Sequence, residues 1–168
     1  MNMTSFIESK AEIEQLLTNE HIGFLGMSID NKPYVIPINF VYTNGRIIFH
    51  CSHTGQKIEY LKINSQICLA IAKQFGEIVQ HPQGAACHSD SNSVMCFGRA
   101  RIIEDIKERR DVLNEFNHIL QPQANDLKMD DVLKCLAVEI IISKMTAREE
   151  RNSKCIYRIY DFENQNKQ

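Results

Sequence analysis

No charge of either sign dominates this chain: 19 lysines and arginines stand against 21 aspartates and glutamates, a formal net charge of −2. A near-neutral chain offers no broad basic surface, so nucleic acid is not the expected partner. No apolar run approaches the roughly 20 residues of a membrane-spanning helix, so no membrane partner is expected either. The N-terminus carries Glu8, Glu12 and Glu14 and shows neither a signal-peptide nor a transit-peptide pattern, which makes the cytoplasm the expected location. Nothing repeats, and no segment is of low complexity. The six cysteines, Cys51, Cys68, Cys87, Cys96, Cys135 and Cys155, include no C-x-x-C pair. Most lie in apolar runs and read as reduced, buried thiols. His50, His53, His81 and His88, taken with Cys51 and Cys87, match no standard zinc spacing, so no metal centre is expected.

What is present is ordinary for a globular protein, with 43% hydrophobic and 24% charged residues. The length suits one domain, residues 1–168, able to bury its own core. Ser9-Lys10-Ala11-Glu12 has the form of a capping box and predicts a helix over about 9–18, with Ile13, Leu16 and Leu17 at helical spacing. A barrel of strands is expected over about 22–162, followed by a polar tail at 163–168. Gly23 to Ser28 is short and apolar, and Asp30-Asn31-Lys32 turns the chain into a long strand, Tyr34 to Tyr42. Asn44-Gly45 then separates that strand from Arg46 to Ser52. Asn-Gly between two β-rich runs is a strong hairpin signal, because both turn positions need positive φ.

Tyr34 to Tyr42 is apolar on both faces. Tyr34, Ile36, Ile38, Phe40 and Tyr42 alternate with Val35, Pro37, Asn39 and Val41. A sheet with one wet face alternates apolar with polar, so this strand is expected to be covered twice, by a barrel interior and by a subunit or ligand. Pro37 cannot donate to a ladder and marks an edge, a bulge or a ligand-facing break. Further strands are predicted at Gln66 to Ala72, Ser93 to Ile103, Leu136 to Ser143 and Lys154 to Phe162. Between them fall a short helix, Thr54 to Ile63, and a longer one opened by Asp105-Ile106-Lys107-Glu108. The longer helix carries the stripe Val112, Leu113, Phe116, Ile119 and Leu120 and stops at Pro122. Asp130 to Lys134 adds a possible turn of helix. Residues 73–92 show no readable pattern, and their role and order are open. Short strands joined by tight turns predict a mainly β fold with peripheral helices, closed as an antiparallel barrel.

The richest stretch for chemistry runs from Phe49 to Lys57. It leaves a strand, forms the small polar loop Ser52-His53-Thr54-Gly55-Gln56, and enters a helix. First-turn N–H groups lack helical partners and attract anions. Hydroxyls at Ser52 and Thr54, the bare backbone of Gly55 and the charge of Lys57 complete a phosphate cradle. The plainer account makes Thr54 an N-cap and Lys57 a solvated lysine.

Three elements recur in a known order: Lys32 to Tyr42; Arg46 to Ser52, continuing through Gly55-x-Lys57; and Ser93-Val94-Met95-Cys96-Phe97-Gly98-Arg99-Ala100. Together they resemble the pyridoxamine 5′-phosphate oxidase-like, FMN-binding split-barrel proteins, and within them the nitroimidazole-resistance branch. The resemblance spans roughly 22–103. It implies a six-stranded antiparallel split barrel that works as a homodimer with flavin at the interface. It implies that Pro37, Ile38 and Asn39 line the isoalloxazine ring, and that Ser52, His53 and Lys57 hold the phosphate end. Val35, Cys51 and Gln56 complete the implied cofactor set, with His50 near the ring. The implied flavin is FMN, with FAD as the alternative that some relatives accept.

True pyridoxamine phosphate oxidases carry an arginine-rich signature near the C-terminus that Arg148-Glu149-Glu150-Arg151-Asn152-Ser153 does not match. The chain also has no tryptophan. Vitamin B6 phosphate is therefore not the expected substrate. The expected function is a flavin-dependent oxidoreductase acting on a small substrate, nitroaromatic compounds being the class that the resemblance implies. His50 is the candidate catalytic residue, a proton donor with an ordinary pKa near ~6.5; a hydrogen-bonded structural histidine is the competing account. A non-catalytic flavin- or haem-binding module is the alternative function.

Overall fold

The computed structural model describes residues 5–6, 10–80, 82–83, 88–151 and 154–161. Its centre is a ring of antiparallel strands. β2 (Ile22–Ile29) turns at Asp30 and Asn31, both at positive φ, into β3 (Lys32–Asn39). After Phe40, β4 (Val41–Thr43) turns at Asn44 (φ 49°) and Gly45 (φ 77°) into β5 (Arg46–Cys51). Both hairpins have two residues at the tip with φ > 0, the geometry that matches the twist of the flanking strands. The ring continues from β5 to the first half of β8 (Leu136–Arg151), then to β7 (His88–Ile103), β6 (Gln66–Val79) and back to β2. β3 and β4 are halves of one bent strand: β3 pairs with β2 and β4 with β5. At the bend Phe40 leaves both ladders and its N–H donates to the His21 carbonyl at 2.9 Å.

Counting β3 and β4 together, six strands close the ring, as the resemblance implied. Counted separately, β3 and β4 make seven, and β1 and β9 outside the ring bring the full sheet to nine among the described residues. β9 (Lys154–Asp161) pairs with the second half of β8, and β1 (Ser5–Phe6) runs parallel to β9. The stretch 73–92 differs from expectation. Most of it is ladder: β6 reaches Val79 and β7 begins at His88, with a register irregularity between Phe75 and Val79. Gly76, at φ 71°, sits in that irregularity. Polar residues and a bulge conceal a strand from an alternation test.

Helices seal the ring. α1 (Lys10–Thr18) inserts Ile13 and Leu17, and α2 (Gln56–Ile63) inserts Ile58 and Leu61, into a core with Leu25, Phe40, Phe49 and Leu69. The proposed cap Ser9 lies outside the described residues. α3 (Ile106–Leu120) opens as predicted, with the Asp105 carboxylate accepting from the Glu108 N–H at 2.8 Å. It lays Val112, Leu113 and Phe116 against Val41, Ile48 and Ile103 on the outside of the ring, forming a second core with Val132 of α4 (Met129–Val132). Each buried aliphatic or aromatic side chain stabilises the fold by roughly 1.5–3 kcal/mol.

Ion pairs clamp α3 in place. Glu139 on β8 is buried and receives Arg46 at 2.5 Å and Arg101 at 3.0 Å. Arg46 also reaches Glu115, and Arg101 reaches Glu108, each at 2.5 Å. A buried carboxylate is tolerable only with such partners. Arg109, also buried, donates to the carbonyls of Ile103, the last residue of β7, and of Glu104 just after it. Among the described residues no helix is long and apolar enough to cross a membrane.

Candidate functional site

Strand alternation sorts the predicted site residues. On β3, Ile38 points into the barrel and is buried, while Val35, Pro37 and Asn39 are exposed on the outer face. On β5, Cys51 is in the barrel core, and His50 and the following Ser52 are exposed. Ile38 and Cys51 therefore present only backbone to any ligand outside the barrel; their side chains are packing residues. Pro37 has a simple explanation. β3 pairs with β2 alone, so the missing N–H falls on an edge strand. β3 and β5 touch each other, which brings the outer residues of both strands to one side of the molecule.

The loop after β5 differs from prediction at one residue. Helix α2 starts at Gln56, and its N-cap is Gly55 at φ 115° with no side-chain cap. Thr54 is not the cap. The first helical hydrogen bonds run from the N–H groups of Ile58 and Glu59 to the Gly55 carbonyl. Gly55 brings no side chain to the N–H groups of Gln56 and Lys57, and a Cβ built on it would meet nothing within 4 Å. The helix start is thus open, with Lys57 in its first turn, and this fits an anionic group.

The loop's other side chains are partly committed. Ser52 Oγ donates to the Thr54 carbonyl at 2.8 Å, closing the turn. His53 Nε2 lies 2.9 Å from the Leu133 carbonyl. A carbonyl only accepts, so Nε2 carries the proton and Nδ1 is the nitrogen left for a ligand. Lys57 Nζ sits 5.4 Å from the centroid of the Phe49 ring, a cation–π contact. Gln56 is exposed at the helix start.

His50 has a neighbour that sequence reading missed. Phe116 of α3 stands edge-on to its imidazole, ring centroids 5.1 Å apart. Although part of its surface is exposed, the pKa of His50 lies below its ordinary value, first because partial desolvation disfavours the charged ring and second because Lys57 is near. His50 is therefore a neutral imidazole at pH 7, a donor at one nitrogen and an acceptor at the other. Burial pushes the Cys51 thiol up; Lys57 opposes the shift and Cys135 adds to it. A raised thiol is a poor nucleophile, in keeping with a packing role.

Beside this loop lies an uncovered apolar face. Ile22 and Phe24 on β2, Val35 on β3, Met95 on β7 and Ile141 on β8 are all exposed. Cross-strand pairs join part of this face: Phe24 faces Pro37 and Ala70, and Ala70 faces Met95, whereas Ile141 lies between Arg46 and Arg99. The second cover expected for β3 is thus absent from this chain's own described residues.

A six-membered antiparallel ring that breaks at Phe40 defines a split β-barrel. The chain belongs to the pyridoxamine 5′-phosphate oxidase family, whose model matches residues 9–149. A candidate 5-nitroimidazole antibiotic resistance protein from Bacteroides thetaiotaomicron is 28% identical, with 84% of each chain covered and a TM-score of 0.71. The flavocytochrome Anf3 of Azotobacter vinelandii is 19% identical over 89% of this chain and 70% of its own, with a TM-score of 0.75. A FAD-binding protein from Mesorhizobium loti is 20% identical over 85% of this chain and 96% of its own, with a TM-score of 0.64. No curated protein sequence matches.

Proposed function

We propose that this protein is a flavin-dependent oxidoreductase that works as a homodimer and reduces a small aromatic substrate, nitro compounds being the first class to test. The observation that carries the reading is the open start of α2. Gly55 leaves the N–H groups of Gln56 and Lys57 without a capping side chain, and Lys57 adds a positive charge. That arrangement takes the phosphate of FMN; FAD, which some relatives accept, is the alternative the same site admits. Ser52 and His53 flank the phosphate, and the outer residues Val35, Pro37 and Asn39 meet the ring, with the backbone of Ile38 and Cys51 beside it. The described nitroimidazole-resistance relative and the FAD-binding relative support this choice of cofactor and substrate class.

Bound flavin supplies two-electron redox chemistry. The chain supplies position and a dry surface. Pro37 offers no N–H of its own, so a flat ring can lie on β3 without stranding a donor. His50, neutral at pH 7 and braced by Phe116, offers an N–H hydrogen bond beside the ring, and becomes a proton donor only as the pH falls towards its lowered pKa. Covering Ile22, Phe24, Val35 and Met95 is the work of a second copy of the chain, because neighbouring exposed apolar side chains on adjoining strands mark an interaction surface. The cytoplasmic location belongs to the same proposal. Cys51, Cys68, Cys96 and Cys135 are free thiols, as suits a reducing compartment.

The test is an absorbance spectrum of the purified protein, with the released cofactor identified by chromatography after heat denaturation. A flavin spectrum, followed by turnover of a nitroaromatic compound with NADH or NADPH, is the expected result. A colourless protein that fails to take up added FMN or FAD would overturn the reading. Light scattering at micromolar concentration should give twice the chain mass; a monomer would remove the homodimer.

A further inference from the structure

We propose that the groove over the bulge between β7 and β8, on the outer surface of the sheet, is a second ligand site, for a small planar aromatic carboxylate. The strand register builds it. Gln66 of β6, Arg99 of β7, Ile141 of β8 and Arg46 of β5 stand side by side in one row. Their neighbours Ile67 and Ile142 belong to the barrel core, so alternation turns this row outward. At the next step along the ladder Ser143 is extra on β8, and its hydroxyl donates to the Phe97 carbonyl at 3.2 Å. Such a bulge bends its strand and sharpens the local twist. The cavity beside it measures about 440 Å³, and its lining includes Gln66, Phe97, Arg99, Ile141 and Ser143.

Arg99 decides the ligand chemistry. It is exposed, and its one polar side-chain contact among the described residues is a long hydrogen bond, 3.4 Å from Nη1 to the Ser65 hydroxyl. The rest of the guanidinium fork is open to a ligand. The neighbouring arginines differ. Arg46 holds Glu115 and Glu139, and Arg101 holds Glu108 and Glu139. These carboxylates are committed, and Arg99 is left as a positive charge with no acid to match it. A guanidinium fork receives a carboxylate through two parallel N–H donors, and its planar shape selects that group. The exposed carboxamide of Gln66, directly opposite Arg99, can add a further N–H. Phe97 and the exposed Ile141 supply apolar sides for a ring. A few convergent polar groups on apolar walls are the usual form of a small-molecule site. A single aromatic ring fills a cavity of about 150 Å³, so this one has room for a fused bicycle. β2 and β6 separate the groove from Val35, Pro37 and Asn39 on β3, so the proposal stands apart from the flavin reading.

2-Naphthoate and 2-naphthamide are matched probes: the same fused rings with and without the negative charge. Each is titrated into the purified full chain while NMR follows the Ile141 methyl groups and the Arg99 Nε–H. 2-Naphthoate should shift both signals and bind about tenfold more tightly than the amide, the worth of a charge-assisted contact at an exposed arginine. Arg99→Gln should bring the two affinities within about twofold of each other. Ile141→Glu, which sets a carboxylate beside Arg99, should weaken 2-naphthoate by about tenfold and spare the amide. Both positions are exposed, so an unchanged far-UV spectrum is expected of each variant. Equal affinities in the native protein would overturn the proposal. So would shifts that spare Ile141 and Arg99, or a preference for 2-naphthoate that survives Arg99→Gln. A second copy closed over this row would leave no shift from either probe, and that result too would overturn it. Flavin content, read from the absorbance spectrum of the same samples, reports separately on the other site.

Discussion

Replacing Gly98 with alanine places a carbon where β8 already has backbone. A Cβ built at Gly98 would lie 2.2 Å from the Ile141 carbonyl oxygen, 3.0 Å from the Ile141 carbonyl carbon and 3.0 Å from the Ile142 Cα. The cause is a bulge. Phe97 pairs with Lys144 but Gly98 with Ile142, so Ser143 is extra on β8. The hydroxyl of Ser143 donates to the Phe97 carbonyl at 3.2 Å and holds the bulge in place. Carbon and carbonyl oxygen approach no closer than about 3.3 Å in ordinary sheets, so the strands must part by about 1 Å at this point. No flexible side chain can absorb the clash, because the opposing atoms are backbone. Overpacking costs roughly 1–3 kcal/mol, and each weakened ladder hydrogen bond roughly 0.5–1.5 kcal/mol. The expected loss is about 3 kcal/mol, a fall in Tm of roughly 6–12 °C for a domain of this size. Urea denaturation at one fixed protein concentration measures it, since association adds to stability by mass action. Gly45→Ala is the control. Gly45 has φ +77° but nothing within 4 Å of a built Cβ, so it carries only backbone strain, about 1–2 kcal/mol. If Gly98→Ala costs no more than Gly45→Ala, the close approach of β7 and β8 is wrong.

Three further outcomes follow from the geometry. Lys57→Ala should weaken flavin binding by about 1.5–3 kcal/mol, roughly 10- to 150-fold, in a fluorescence titration; native affinity in a folded mutant would remove Lys57 from the site. His50 has a folded pKa below its ordinary 6.5, so over that window the unfolded chain binds more protons than the folded one. Its contribution to stability is complete above pH 6.5 and is lost as the pH falls from there through the folded pKa. His50→Gln should flatten that part of a stability-against-pH curve, and an unaltered curve would contradict the assignment. Burial pushes the Cys96 thiol up to about 12, so iodoacetamide at pH 8 should leave Cys96 unlabelled in the folded protein and modify it once urea is added. Peptide mass mapping reads both states, and prompt labelling of folded protein would place Cys96 outside the core.

Local chemistry determined much of this protein. Asn44-Gly45 can hardly do anything but turn a hairpin, because two consecutive residues with positive φ suit few other sequences. Asp105 and Glu108 signalled the start of α3, and the spacing of Val112, Leu113 and Phe116 gave its buried face. Period-two alternation on Tyr34 to Tyr42 showed a strand with two faces to cover. Each of these signals lies within a dozen residues, where the chain's own geometry sets the outcome.

Only the tertiary structure decided the rest, because it depends on residues far apart in sequence. Alternation could not say which face of β3 turns inward. The closed ring does, and it sends Ile38 and Cys51 into the core while leaving Pro37 and His50 outside. The pattern of 73–92 was unreadable because its strands carry polar residues and a bulge, and only their mutual ladder reveals them. Thr54 had the right chemistry for a cap, yet the chain starts the helix one residue later, with Gly55 at an angle that few other residues adopt. Phe116 beside His50, Glu139 between Arg46 and Arg101, and Arg99 between Gln66 and Ile141 have no local signal at all. They exist because the barrel closes and brings α3 against it.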